Sequence, residues 1–369
     1  MRILGMMLAA GLALLGCDDQ AAEPALQADG AGQQAPADGG LDAAADAGAP
    51  DLALDAQPDL AVDQAVDMAV PDADIVAEQP REAAPPRAYS LGECPVLNYG
   101  TTPEAAENAD FMSGPDRRRF HLIVPSSYDG QTPLPVVFGW HYLAGDSEGM
   151  IREGDLVSAV EQQNFIVVAF DRAVLENGAN RFLFSWPFGE PWGQEDEIRF
   201  FDDVLSCVDQ QLNIDRQRLY GVGVSAGALW LTHLMNTDRV DHFAAVGVLS
   251  GGLAQRGTAL QMAFTPRPHK FPAMVLWGGE RDRLGIDFHD ASLRLQAALL
   301  ADHHFVVSCM HESGHGLPPI RTPEGVTRFI MLWRFLLDHR FGLDPGWSPY
   351  LDAGALPEEF ESWCQIAAP

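Results

Sequence analysis

The chain has 369 residues, with 52 acidic and 23 basic side chains and a formal net charge of −29 at pH 7. About half of the acidic excess lies in residues 18–88, and the remainder leaves an acidic folded part. Nucleic acid is therefore not expected as a partner, because its phosphates would be repelled.

The N-terminus predicts export. Residues 1–16 begin with a single basic residue and continue as an apolar stretch too short to span a bilayer, as in a signal peptide. Residues 14–17 read LLGC, which resembles a bacterial lipobox, so we expect Cys17 to be acylated and to anchor the protein to a membrane. The alternative is an ordinary signal peptide with a chance cysteine, and the sequence does not choose the membrane leaflet.

Residues 17–88 are rich in Ala, Asp, Pro and Gly and lack the apolar surface that would offset the entropy of ordering. Their aspartates recur at every fourth position without the closer spacing and glycine turns of a calcium repeat. We therefore expect a disordered, self-repelling tether that carries the folded part.

Four further cysteines form an even set, and disulfides are the natural expectation in an exported protein. Cys94 and Cys364 are suited to tie together the ends of the folded part, which would leave Cys207 with Cys309, but all three pairings remain open. No pair has C-x-x-C spacing, so a metal site built from cysteines is not favoured.

Residues 89–369 have the length of a single domain in which short β-rich runs alternate with longer helical patterns. This alternation predicts an α/β fold with a mostly parallel central sheet and helices on both faces. The candidate strands are 119–124, 135–140, 165–170, 218–222, 244–249, 273–277 and 305–309, and the candidate helices are 146–162, 195–212, 226–235, 288–301 and 322–339.

The motif that carries chemistry lies between the fourth strand and the third helix. Residues 221–227 read GVGVSAG, the G-x-S-x-G pattern of the nucleophile elbow in α/β-hydrolases. Only small residues fit two positions either side of the serine in so tight a turn. We therefore predict Ser225 to be the nucleophile, with a plain tight turn as the alternative.

A serine nucleophile needs a histidine base and a carboxylate, which in this fold follow it in the order acid, histidine. Asp282 follows the strand at 273–277 and is the predicted acid, ahead of Glu280 and Asp287. His315 is flanked by glycines after the strand at 305–309 and is the predicted base, with His311 as the fallback.

The oxyanion of the intermediate needs backbone donors. One is expected to be the amide of Ala226, next to the nucleophile. The other is expected from the loop after the strand at 135–140, at the amide of Leu143 or Tyr142. We expect His141 to order this loop rather than to act as a base.

Residues 196–252, together with the opening strand at 119–125 and the GHGLP sequence at 314–318, resemble the polyhydroxybutyrate depolymerase and feruloyl esterase group related to carbohydrate esterase family 1. The resemblance implies an α/β-hydrolase fold and a serine esterase. One departure is Tyr142, where that group usually has a glycine or another small residue. The aromatic segment at 181–193 corresponds to a tryptophan segment of the group, which makes Trp186 our candidate substrate contact, with His141 beside it. Packing or a lid is the alternative for this segment.

These observations together predict an exported serine esterase that hydrolyses a polymeric or small-molecule ester through an acyl-enzyme, without metal or organic cofactor. A serine peptidase of the same fold and a non-catalytic binding lipoprotein are the alternatives. The sequence identifies neither the natural ester nor the oligomeric state.

Overall fold

The computed structural model describes residues 79–254 and 261–368. The predicted signal peptide, Cys17 and the tether up to residue 78 lie outside the described residues. Within the described ranges, no helix combines the length and the apolar character needed to cross a membrane.

The last ten residues of the predicted tether belong to the folded part. Gln79 is buried, and its side-chain amide donates to the backbone oxygen of Lys270 and accepts from the same residue's amide, both at 2.8 Å. The amide of Ala84 donates to the carbonyl of Asp241 at 3.0 Å. The boundary predicted at residue 89 is therefore wrong. These partners lie far along the chain, so the polar composition of 79–88 gives no sign of them.

A nine-stranded sheet organises the domain, in the order β1-β2-β4-β3-β5-β6-β7-β8-β9. Strands β3 to β8 run parallel, whereas β1 pairs antiparallel with β2, β2 with β4, and β9 with β8. The strands are β1 Glu107–Ser113, β2 Asp116–Ile123, β3 Leu134–Trp140, β4 Ile166–Phe170, β5 Ile214–Val224, β6 Ala245–Leu249, β7 Ala273–Trp277, β8 Val306–Met310 and β9 Cys364–Ile366.

The sheet is buried on both faces. Every residue of β3, β4, β6 and β7 is buried, which explains why these strands read as continuous apolar runs rather than as alternating patterns. Neighbouring residues contribute to separate cores: Phe138 and Val168 pack on one face, and Val137 and Val167 on the other. The predicted α/β fold with a mostly parallel sheet is confirmed.

In the described residues, eight α-helices accompany the sheet: α1 Pro103–Ala106, α2 Ser147–Glu153, α3 Leu156–Gln163, α4 Pro191–Gln211, α5 Ala226–Met235, α6 Phe288–Ala301, α7 Ile330–Leu337 and α8 Pro349–Ala353. The helix predicted over 146–162 is two helices, because Asp155 takes a left-handed conformation at φ 51° and ends the regular hydrogen bonding. The helix predicted over 322–339 is confined to α7.

Two disulfides join Cys94 to Cys207 and Cys309 to Cys364. The pairing that would have tied Cys94 to Cys364 is not formed. The reason is β9, a strand that the sequence did not reveal: it lies against β8 and places Cys364 directly opposite Cys309.

Candidate active site

Ser225 lies at the sharp turn between β5 and α5, at φ 54° and ψ −115°. Its amide donates to the carbonyl of Leu249 at 2.8 Å, which fixes the turn against β6. A Cβ at Gly223 would lie 2.5 Å from the carbonyl oxygen of Gly227, and a Cβ at Gly227 would lie 2.1 Å from that of Trp140. Both glycines of the motif are therefore required by close backbone contacts, as the elbow interpretation predicts.

The structure brings the three residues predicted as nucleophile, base and acid into one hydrogen-bonded row. Ser225 Oγ lies 2.9 Å from His315 Nε2, and His315 Nδ1 lies 2.6 Å from Asp282 Oδ1. Ser225 is 7% exposed and Asp282 is fully buried, whereas the His315 side chain remains 14% exposed. This geometry suits transfer of the serine proton to the imidazole while the carboxylate holds its other nitrogen.

The second oxygen of Asp282 is also held. Asp282 Oδ2 accepts hydrogen bonds from the Ser250 hydroxyl and from the Gly278 amide, both at 2.8 Å. Burial alone would raise the pKa of this carboxyl, but the hydrogen bonds from His315, Gly278 and Ser250 outweigh it and hold the pKa below its usual value. Asp282 is thereby kept ionised and fixed in orientation.

The loops that carry Asp282 and His315 lie backbone against backbone. A Cβ at Gly278 would fall 1.8 Å from the carbonyl oxygen of Gly314, and Gly314 itself has φ 68°. The ring of Phe288, at the start of α6, stacks on the imidazole of His315 with centroids 4.4 Å apart. The imidazole is therefore held by packing as well as by hydrogen bonds.

The alternatives to these residues occupy other positions. His311 is buried, accepts a hydrogen bond from the Ser313 amide at 3.1 Å and packs against Trp363. Glu280 is exposed, and Asp287 accepts a hydrogen bond from the Asp290 amide at the start of α6.

The loop after β3 lies directly against the nucleophile turn, since a Cβ at Gly227 would also come within 2.6 Å of the His141 carbonyl oxygen. Ala226 is the first residue of α5, where amides have no partner within the helix. Among the described residues, no acceptor bonds the amides of Ala226, Tyr142 or Leu143. Unpartnered amides of this kind are available to a developing oxyanion.

Trp186 packs beneath the surface against the loop after β3. It is completely buried, its indole Nε1 donates to the carbonyl of His141 at 2.8 Å, and its ring lies 4.9 Å from the His141 imidazole. The substrate contact predicted for Trp186 does not fit this position. His141 is equally buried and its Nδ1 lies 2.7 Å from the carbonyl of Tyr142, so it braces the loop and does not face a substrate.

Tyr142 turns its side chain to α2. Its hydroxyl donates to Glu153 Oε1 at 2.8 Å, and a Cβ at Gly145 would meet its ring at 2.9 Å. Burial, followed by the hydrogen bond to Glu153, raises the pKa of this phenol to about 12. Tyr142, where a small residue was expected, therefore packs against Gly145 and α2 and helps to hold the loop.

Asp171, directly after β4, is the charged residue behind the loop. It is 2% exposed; its carboxylate accepts from Arg119 Nε at 2.7 Å and from the Arg172 amide at 2.8 Å, and Oδ1 lies 3.7 Å from His141 Nε2. Burial opposes its charge, but hydrogen bonding and the positive charge of Arg119 prevail and lower its pKa to about 2. At 3.7 Å the imidazole is beyond a normal hydrogen bond, so we assign the main effect to Arg119.

Sequence reasoning missed three supporting residues: Ser250, Phe288 and Asp171. Ser250 follows β6 in the sequence Ser-Gly-Gly with φ 48°, and a polar residue at the carboxyl end of a parallel strand is the one local sign of its role. The contacts of Phe288 and Asp171 depend on tertiary packing and leave no comparable sign.

The curated proteins whose sequences resemble this chain include feruloyl esterases and a polymer hydrolase. No family model matches the chain. The chain is 26% identical over 177 residues to "Feruloyl esterase C" of Emericella nidulans, which covers 46% of this chain and 60% of the relative. It is 24% identical over 253 residues to "Oxidized polyvinyl alcohol hydrolase" of a Sphingopyxis species, which covers 53% of this chain and 66% of the relative. The chain thus spans less than two thirds of the length of these curated relatives.

Among solved structures, native pOPH superposes with a TM-score of 0.54 at 20% identity, covering 74% of this chain and 97% of that one. Native sOPH gives a TM-score of 0.55 at 18% identity, covering 76% and 97%. The fold is an α/β-hydrolase fold. The resemblance to the feruloyl esterase group predicted from the motifs is confirmed by the sequence relatives.

Proposed function

We propose that the protein is a serine esterase in which Ser225, His315 and Asp282 act as nucleophile, base and orienting acid. The observation that carries this proposal is the continuous row of hydrogen bonds from Ser225 Oγ through His315 to Asp282. The row begins at a strained nucleophile turn and ends at a buried carboxylate. The similarity to feruloyl esterases and to an oxidized polyvinyl alcohol hydrolase supports the assignment.

The reaction begins when Ser225 Oγ attacks the ester carbonyl carbon as His315 Nε2 accepts the hydroxyl proton. The tetrahedral oxyanion is stabilised by the amide of Ala226 and by that of Leu143 or Tyr142. His315 then donates the proton to the departing alcohol, leaving an acyl group on Ser225. Water, deprotonated by His315, attacks the acyl group; the bond to Ser225 Oγ breaks as His315 returns the proton to that oxygen, and the carboxylic acid is released. Asp282 stays ionised throughout and orients the imidazole.

The named relatives act on different materials, which sets the substrates to be compared. Feruloyl esters, acetylated xylan, short-chain polyhydroxyalkanoate and oxidized polyvinyl alcohol cover the named relatives and the group that the motifs resemble. A carboxylic ester is the class that the proposed mechanism requires, and a feruloyl ester is the first candidate because feruloyl esterases recur among the relatives.

Export and anchoring are a separate part of the proposal. A signal peptide over residues 1–16 and acylation of Cys17 rest on the sequence pattern alone. The two disulfides support an oxidising location, because such bonds are rare where thiols are kept reduced. Mass spectrometry of the protein purified from membranes tests the anchor: a lipid-modified Cys17 supports it, and an N-terminus cleaved at another residue without lipid refutes it.

The activity is tested with residues 18–369, a panel of p-nitrophenyl esters and the substrates above. We expect hydrolysis by the unaltered chain and a loss in kcat of about 10⁵- to 10⁶-fold in Ser225→Ala, as when a nucleophilic serine is removed elsewhere. Ser127→Ala, at an exposed serine, is the matched control and is expected to keep full activity. Equal hydrolysis in Ser225→Ala and the unaltered chain would refute Ser225 as the nucleophile, and no hydrolysis in either would favour a binding protein. Cleavage of peptides but not of esters would favour the peptidase alternative.

A further inference from the structure

A second cluster of chemically active side chains lies at the β1–β2 edge of the sheet. Glu107 begins β1, His121 lies on β2, and Glu148 is in the first turn of α2. All three line a cavity of about 410 Å³. None of them belongs to the row of Ser225, His315 and Asp282.

The register of the sheet sets two of the three side chains side by side. Glu107 and His121 are paired residues across β1 and β2, so their side chains share one face of the sheet. Each of the three residues offers one ligand atom, and the three atoms all lie within 4.8 Å of one another. His121 is 1% exposed, Glu107 is half-buried and Glu148 is exposed.

The imidazole of His121 is oriented by a buried chain of hydrogen bonds. The hydroxyl of Ser147 donates to Asp171 Oδ2 at 3.2 Å, and Ser147 Oγ lies 3.0 Å from His121 Nδ1. Because the hydroxyl proton points to Asp171, its oxygen accepts the proton on Nδ1. The lone pair is then on Nε2, which has no hydrogen-bond partner among the described residues.

This arrangement is the one that holds a metal-binding histidine in proteins, where the second ring nitrogen is hydrogen-bonded to a carboxylate or another polar group.

The two arginines near the cluster pair mainly with other acids and leave its carboxylates available to a cation. Arg119 Nη1 is 3.4 Å from Glu107, but its Nη2 lies 2.5 Å from Asp171, which is the closer partner. Arg152 is exposed and its Nη2 lies 3.6 Å from Glu153. Within the described residues, no ion pair engages Glu148. Among the other acidic residues, Asp171 accepts the hydrogen bond from the Ser147 hydroxyl. Glu104 and Asp155 line the cavity but do not belong to the three-residue cluster.

We propose that Glu107, His121 and Glu148 form a binding site for a divalent first-row transition metal ion such as Zn²⁺. One imidazole and two carboxylates suit Zn²⁺, which accepts nitrogen and oxygen ligands at about 2.0 to 2.2 Å. Ca²⁺ and Mg²⁺ prefer oxygen ligands alone, and the cluster has no thiolate for softer ions. Glu148 is exposed on the first turn of α2, so its side chain is free to rotate toward the other two ligands when an ion binds.

The test uses residues 18–369 without an affinity tag, freed of metal by chelator and titrated with Zn²⁺ in equilibrium dialysis. We expect one tightly bound ion per chain. Glu148→Gln and Glu107→Gln each keep the size of the side chain and are expected to weaken Zn²⁺ binding at least tenfold. Glu104→Gln removes an exposed carboxylate of the same cavity outside the cluster and is the matched control, expected to bind within twofold of the unaltered chain.

Ser147→Ala tests the orientation of His121, and a loss of 10- to 100-fold in Zn²⁺ affinity is expected for a group that orients a metal ligand. A rise in Tm on adding Zn²⁺, present in the unaltered chain and reduced in Glu148→Gln, supports the site further. Because Glu148 is exposed, its substitution is compatible with folding even where another variant is not. Absence of bound Zn²⁺, or binding unchanged in both Glu148→Gln and Glu107→Gln, overturns the proposal.

Discussion

The candidate active site has two sides that are built differently. The triad side comprises Ser225, Asp282 and His315, which follow parallel strands and bond one another directly. The oxyanion side comprises residues 141–145 with Trp186 and Asp171 behind them. Trp186 reaches the loop from 45 residues away along the chain, and its indole Nε1 donates to a backbone carbonyl.

The difference separates side chains that take part in the proposed reaction from side chains that hold a backbone loop in place. Every member of the triad side carries a side chain that the proposed chemistry requires, so a motif or a position just after a strand reveals it. The oxyanion side supplies backbone amides that any residue possesses, and its accuracy depends on buried side chains beneath the loop. Substitutions on the triad side are therefore expected to lower kcat more than substitutions on the oxyanion side.

The largest effect is expected from Asp282→Asn on the triad side. The amide cannot hold the imidazole of His315 in the tautomer with hydrogen on Nδ1, and kcat is expected to fall about 10⁴-fold, as in serine hydrolases with the same change. Steady-state kinetics on a p-nitrophenyl ester measure it. Glu280→Gln, at the exposed acid of the same turn, serves as control and should retain activity. Similar losses in both variants would show that Asp282 is not the acid.

Trp186→Phe is the matching change on the oxyanion side. The ring is largely kept, but the donor to the His141 carbonyl is lost, and a buried carbonyl without a partner costs about 1 to 3 kcal/mol. We expect kcat to fall about 10- to 100-fold with little change in KM. Trp192→Phe changes an indole that is 61% exposed and should leave both constants unchanged. A rise in KM with kcat retained would restore the substrate contact predicted from the sequence.

Lowering the pH is expected to destabilise the oxyanion side by protonating Asp171. Because its pKa in the folded protein is lowered to about 2, its stabilising contribution is complete above the unfolded value near 4 and is lost as the pH falls from about 4 to about 2. The contribution is about 2 kcal/mol of unfolding free energy, measured by urea unfolding across this range. Asp171→Asn should flatten the pH dependence there. An unchanged slope would mean that other carboxyls, such as Asp282, account for it.

Tyr142→Phe is expected to have the smallest effect. The variant loses only the hydrogen bond to Glu153, about 0.5 to 1.5 kcal/mol of stability, and keeps the backbone amide. Thermal unfolding and kcat/KM are the measurements, with a change in kcat/KM of no more than about threefold expected. Tyr99→Phe, at a half-exposed tyrosine, is the comparison for stability. Loss of activity in Tyr142→Phe alone would place the hydroxyl in the reaction.

The sequence predicts most of the fold because the central strands are recognisable as apolar runs between longer helical patterns. It also predicts which residues form the hydrogen-bonded row, since Ser225, Asp282 and His315 each follow a recognisable strand. The edge strands escape prediction: β1 is half polar, and β9 has only three residues.

The remaining errors share one physical cause. Trp186 reads as an aromatic residue in a loop, and nothing local distinguishes an indole that contacts a substrate from one that donates to a carbonyl 45 residues away. The disulfide partner of Cys94 and the start of the folded part near residue 79 likewise depend on contacts between distant segments. Contacts that depend on tertiary packing cannot be predicted from the spacing of residues in the sequence alone.

The backbone of Ser225 has a final consequence. A non-glycine residue at φ 54° and ψ −115° carries a conformational cost of about 1 to 3 kcal/mol that the surrounding sheet must sustain. Glycine would relieve this cost and remove the proposed nucleophile at once. Selection for heat resistance alone would therefore favour loss of the serine, and directed evolution toward a more robust protein must include turnover in its screen to retain it.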